Sequence, residues 1–136
     1  MTASDPKVPD SFLRQNVMKL IGARLTRTEA GACEIELPYR EDLTQQDGYI
    51  HAGIVTTILD CACGYAAFSL MSEGSRVLSV EFKVNLLAPA KCDLLRVRAE
   101  VKRAGRTLTV CTADAFADAT LCATMLATMI AVKKDA

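Results

Sequence analysis

Histidine is almost missing from this chain: His51 is the only one in 136 residues. A metal centre built on several imidazoles is therefore excluded, and any catalytic imidazole has to be His51. Net charge is missing as well, with 16 Lys and Arg against 16 Asp and Glu. A neutral chain has no electrostatic pull toward nucleic acid or anionic lipid, so neither is an expected partner. No Gly-x-Ser-x-Gly elbow occurs, which removes the usual frame for a Ser–His–Asp triad. A basic start followed by an apolar run and a small-residue cleavage site is not seen either, so no secretory leader is expected. The six cysteines, Cys33, Cys61, Cys63, Cys92, Cys111 and Cys122, follow no zinc spacing. They read as small buried hydrophobes in a reducing compartment, the cytoplasm. A Cys–His pair on Cys61 or Cys63 is disfavoured because both lie about three helical turns from His51.

What is present is a long apolar stretch, His51 to Met71, holding one carboxylate, Asp60. Its length, roughly 20 residues, would suit a membrane span. Asp60 would then sit near the bilayer centre without a cationic partner, and alanines and glycines dilute the hydrophobicity. The stretch is expected instead to be a central helix buried by the rest of the domain.

The remaining chain supplies the wrapping. Residues 1–8 read as a loose tail, and Phe12, Leu13, Val17, Leu20 and Ile21 recur at helical spacing over 9–21. Residues 23–37 read as a hairpin turning at Glu29-Ala30-Gly31, and 38–48 as a polar loop. After Glu73-Gly74-Ser75 the period becomes two. Leu78, Val80, Phe82, Val84 and Leu86 alternate with Ser79, Glu81, Lys83 and Asn85, which predicts one buried and one wetter face. Strands follow over about 95–102, 107–116 and 121–132, with turns at Ala104-Gly105 and Asp118-Ala119. The last strand is apolar on both faces, as in the middle of a sheet or at an interface. One α+β domain over 1–136 is expected, an antiparallel sheet curved around one long central helix.

Two features of that helix carry chemistry. Its start follows Gln45-Gln46-Asp47-Gly48-Tyr49-Ile50, and the free N–H groups of Ala52, Gly53 and Ile54 make a site for negative charge, an oxyanion included. The plainer reading is an ordinary start, capped by His51 or Asp47, with Gly53 allowing close packing. Asp60 needs a reason to be among apolar residues: either it works, or neighbouring hydroxyls or an arginine satisfy it. His51 and Asp60 are nine residues apart, facing nearly opposite sides of the helix about 13 Å apart along its axis. If both act in one site, that site combines two chains, and the protein is at least a dimer.

These residues resemble a known family. An amide six before a His-Gly-Gly, then an acid nine after the His, is the pattern of the hotdog-fold acyl-CoA thioesterases. The branch is that of the phenylacetate-pathway thioesterase and of the 4-hydroxybenzoyl-CoA thioesterase using a helix carboxylate. Here it reads Gln45, His51-Ala52-Gly53 and Asp60, with Val77-Leu78-Ser79-Val80-Glu81-Phe82 and Leu87-Ala88-Pro89-Ala90 downstream. The resemblance implies a hotdog fold hydrolysing a medium-chain or aryl acyl-CoA to free acid and CoA. Asp60 would be the nucleophile or general base, Gln45 would hold substrate or water, and the Ala52 N–H would polarise the carbonyl. His51 and Gly53 would shape that loop, and Ser79 would position the hydrolytic water. A homodimer assembled into a homotetramer is implied, with acyl-CoA as partner and no cofactor or metal. Lys102, Arg103 and Arg106, and more weakly Lys91, are candidates for the CoA phosphates; a solvated charged hairpin is the plainer reading. The chain departs from the pattern at Ala52, where relatives have glycine, and at Gly64, where many have Ser or Thr. A non-catalytic acyl-CoA or lipid-binding domain is the alternative function; a hotdog dehydratase fits the nine-residue spacing poorly.

Overall fold

The computed structural model describes residues 6–134. Two short helices, α1 (Lys7–Arg14) and α2 (Asn16–Ile21), precede a hairpin of β1 (Arg24–Glu29) and β2 (Ala32–Pro38). A 3-10 turn at Glu41–Leu43 leads to the long helix α3 (Ala52–Phe68), and β3 (Ser75–Leu86), β4 (Leu94–Ala104), β5 (Leu108–Ala117) and β6 (Thr120–Lys133) complete the chain. The helix expected over 9–21 is two helices, broken where Gln15 takes an extended ψ of 108°. The tail expected over 1–8 is shorter than that. Lys7 and Val8 belong to α1, where Val8 is fully buried, while residues 1–5 lie outside the described ones.

The six strands form one antiparallel sheet in the order β1-β2-β4-β5-β6-β3. β3 therefore does not pair with its successor; it crosses over to become the edge beside β6. β6 lies inside the sheet, as its two apolar faces require. The concave face holds α3. Ala62, Ala66 and Ala67 of the helix and Ala99, Ala113, Ala115, Ala123 and Ala127 of the strands are all at most 4 % exposed. Small residues on both sides bring helix and sheet close together. Ile35, Leu37, Ile58, Leu59, Leu95, Met125 and Met129 fill the remaining volume, each worth about 1.5–3 kcal/mol of transfer free energy. This is the hotdog arrangement, a curved sheet around one helix.

β3 departs from the simple alternation. Its pairing with β6 slips between Ser79 and Glu81: Ser79 faces Met129 and Glu81 faces Thr128, leaving Val80 as the extra residue of a β-bulge. Beyond the bulge Phe82, Val84 and Leu86 share the helix side with Ala127, Met125 and Ala123; before it, Val77 and Ser79 do so with Ala131 and Met129. Strict alternation would have put Ser79 on the wet outer face and Leu78 inside. The bulge reverses both.

Candidate functional site

The loop before α3 is organised by Gln45. Its Oε1 accepts from the N–H of Asp47 at 2.7 Å and of Tyr49 at 3.1 Å, and its own N–H donates to the Tyr49 carbonyl at 2.9 Å. Gly48 closes the turn at φ +86°, the left-handed region that favours glycine. With the oxygen committed to the loop, the Gln45 carboxamide NH2 is the group left for a ligand.

The start of α3 spends its donors almost completely. His51 is the N-cap: Nδ1 accepts from the Gly53 N–H at 2.8 Å. Both Ile54 and Val55 donate to the His51 carbonyl, at 2.9 and 3.1 Å. Ala52 is the one residue of the first turn whose N–H finds no acceptor among the described residues, and it is exposed. The cap also fixes the tautomer, because an Nδ1 that accepts leaves the proton on Nε2. Gly53 leaves the His51 ring uncrowded in this arrangement. A Cβ there would stand 3.0 Å from His51 Nδ1 and 3.3 Å from Cε1. So Gly53 acts through the His51 cap, and its N–H is not free for an oxyanion.

Gln45 and Ala52 line one cleft of about 410 Å3, walled by Tyr49, Val55, Leu86 and Cys122. The segment Leu87-Ala88-Pro89-Ala90 forms its rim, held where Leu87 and Ala88 donate to the Cys122 carbonyl at 2.8 and 3.2 Å. A backbone donor left unspent beside apolar walls is placed to interact with developing negative charge.

Asp60 sits elsewhere on α3. It is half-exposed, not sealed as its apolar surroundings in the sequence imply. Ser79 Oγ donates to its Oδ1 at 2.6 Å, and Oδ2 has no bond among the described residues. No cation pairs with Asp60 among those residues either. This short bond depends on the Val80 bulge, which turns Ser79 inward. The sequence holds no local signal for that bulge.

The structure thus joins Gln45 and Ala52 with His51 and Gly53 in one group, and Asp60 with Ser79 in another, without merging the two in one chain. Lys102, Arg103 and Arg106 are in neither. β4 is 11 residues long and starts near the cleft, so its far hairpin is about 35 Å away. Arg106 borders a hollow with Leu70, Met71 and Gly74 beyond the end of α3, and Lys102 is paired with Glu100 at 2.9 Å. Lys91 directly follows the rim of the cleft and is exposed.

Burial disfavours the thiolate form of the cysteines. All six are free, and burial pushes Cys33 and Cys61 up to about 12 and Cys92 and Cys111 up to about 11. Cys61 Sγ donates to Gln15 Oε1 at 2.9 Å while Gln15 Nε2 donates to the Tyr65 hydroxyl at 2.8 Å, tying the α1–α2 break to α3. Among the described residues no cluster of His, Cys, Asp and Glu is placed to hold a metal, and no helix is long and apolar enough to cross a membrane.

A curved sheet on one helix, with a carboxylate at mid-helix and an unspent donor at its start, defines a class, and comparison with known proteins agrees. Residues 47–123 match the model of the thioesterase superfamily, and the chain belongs to that family. A solved thioesterase family protein from Silicibacter pomeroyi is 51% identical, covers 97% of this chain and 100% of its own, and superposes with a TM-score of 0.94. The E. coli PaaI protein of the phenylacetic acid degradation operon shares the fold at TM-score 0.86 with 15% identity, over 96% of each chain. A Saccharolobus solfataricus protein with a provisional esterase name is 29% identical over 69% of this chain. The match spans 66% of that relative's length, and 65% for a similarly named Halobacterium salinarum protein.

Proposed function

We propose that the protein hydrolyses an acyl-CoA thioester, of a medium-chain or aryl acid, to free acid and CoA. The observation that carries this is the Asp60–Ser79 pair on the open side of α3, a carboxylate held in one orientation with its second oxygen unoccupied. Asp60 acts on the thioester carbon, as nucleophile or by taking the proton of an attacking water. The carbonyl oxygen gains charge as the tetrahedral species forms, and the Ala52 N–H faces it. Gln45 offers its carboxamide NH2 from the same cleft, and His51 keeps the donor in place through its cap. Collapse expels the CoA thiolate, which takes up the proton that water gave up; where Asp60 itself attacks, water then cleaves the acyl-Asp60 anhydride, releasing the free acid and restoring the carboxylate. No metal or cofactor enters the scheme.

The two groups lie about 13 Å apart along one helix, so the working site joins Asp60 and Ser79 of one protomer to Gln45 and Ala52 of another. Support comes from β3, an open sheet edge of 12 residues. Phe82 is 42 % and Leu86 56 % exposed there, although both face the helix side. Pairing of two β3 edges makes the homodimer, which pairs further into a homotetramer. The CoA phosphates are proposed to meet Lys91 beside the cleft; the hairpin cations Lys102, Arg103 and Arg106 are far from it in their own chain. Six free thiols suit the reducing cytoplasm.

Thiol release from a panel of acyl-CoAs tests the reading. Asp60→Asn is expected to lower turnover about a hundredfold or more with the melting temperature unchanged. Near wild-type hydrolysis by that variant rejects Asp60. Tight acyl-CoA binding by the wild type with no thiol released makes the domain a binding module instead.

A further inference from the structure

Gly64 stands one helical turn after Asp60 on the same side of α3, inside the helix and half-buried. Glycine weakens a helix interior relative to alanine, so it normally answers a local need. No such need is present here. Its φ is not in the left-handed region, and apart from its chain neighbours and the adjacent backbone of α3 no atom of the described residues lies within 4 Å of where a Cβ would stand. Gly53 on the same helix is the contrast, because there a Cβ would crowd the His51 ring. At Gly64 the surface of α3 is open where a side chain would stand. Beside it are Asp60 Oδ2, without a partner among the described residues, and Ser79. One further turn along are Phe68 and, on the helix side of β3, Val77; the hollow of about 810 Å3 beyond them is walled mostly by charged and polar residues, among them Asp10, Arg14, Glu73 and Lys134, so the apolar seam ends at Phe68 and Val77.

We infer that Gly64 is a specificity-determining residue: its missing side chain admits the apolar acyl group, which runs from the thioester at Asp60 along the α3–β3 seam toward Phe68 and Val77. This rests on the hydrolase reading above. The seam from Asp60 to Phe68 measures about 12 Å along the axis, which suits an unbranched medium-chain or flat aryl group and is more than an acetyl group needs.

The test compares wild type, Gly64→Ala and Gly64→Leu on acetyl-, hexanoyl-, decanoyl- and phenylacetyl-CoA. Binding of the matching non-hydrolysable S-alkyl-CoA thioethers is measured in parallel, with melting temperature and sedimentation. Gly64→Ala is expected to melt at the same temperature or a few degrees higher. Gly64→Leu is expected to lose about tenfold or more in kcat/KM on the three larger substrates and to stay within about twofold on acetyl-CoA. The thioether affinities are expected to follow the same order. An equal change across the panel, or none, overturns the inference, and so does a shift in oligomeric state with either variant, because a second copy of the chain then fills the space. If no substrate releases thiol in the wild type, the hydrolase reading fails, while a size-selective loss of thioether binding in Gly64→Leu still upholds the acyl seam.

Discussion

β3 and β5 are strands of the same sheet and of similar length, 12 and 10 residues, yet they end in opposite situations. On β5 every helix-facing residue, Thr109, Cys111, Ala113, Ala115 and Ala117, is at most 4 % exposed. On β3 the helix-facing Phe82 and Leu86 are 42 % and 56 % exposed, and the bulged Val80 is 53 % exposed. β5 lies between two strands under α3, so one chain completes its environment. β3 has one neighbour, a bulge and an inner face left exposed at Phe82 and Leu86. The strand that folding uses fully is separate from the strand that holds Ser79 against Asp60.

The largest expected effect comes from splitting the two halves of the site between chains. Ala52→Pro removes the one free N–H, and proline is well tolerated at the first helical position after the extended His51 (φ −58°, ψ 137°). Activity is expected to fall about a hundredfold or more with the fold intact. Co-expressing Ala52→Pro with Asp60→Asn is then expected to restore activity to about a quarter of wild type, since half of randomly paired dimers hold one intact site. No restoration places Asp60 and Ala52 in the same protomer's site and removes the two-chain account.

Next in size is an attack on each strand in turn. Ala113→Leu overfills the helix–sheet contact on β5 and is expected to cost about 1–3 kcal/mol, read as a lower denaturant midpoint without altered sedimentation. Val80→Lys on the β3 edge is expected to do the reverse, weakening self-association while leaving protomer unfolding almost unchanged. Equal effects of the two substitutions on association would erase the distinction between the strands.

The smallest effect is on alkaline stability. Cys33 and Cys61 rise from an ordinary value of 9.0 to about 12 on burial. Folding therefore favours their neutral form, and that contribution is complete below pH 9 and lost as pH climbs toward 12. The melting temperature is expected to fall across that window, and less steeply in Cys33→Ala. A slope unchanged in that variant would mean that Cys33 contributes nothing to it.

Legibility of the site followed the range of the interactions. His51 as cap and Gly53 as its close neighbour are local, and the helix start was readable for that reason. The Asp60–Ser79 contact joins residues 19 apart and depends on a one-residue slip that alternation alone misplaces. The β3 crossover was equally hidden, since a run of strands does not say which edge each one takes. The basic hairpin lies at the far end of β4 from its own chain's cleft, a separation that the linear order does not carry.

Periodicity and composition by themselves determined that this chain makes a long apolar helix wrapped by strands, because burial of apolar faces is additive along the chain and leaves its mark in spacing. Only the tertiary structure decided that Ser79 faces inward, that one backbone N–H at Ala52 is left unspent, and that β3 is left uncovered. Those outcomes are set by a bulge, by competition among donors and by the closing order of the sheet, none of which leaves a repeating pattern in the residues.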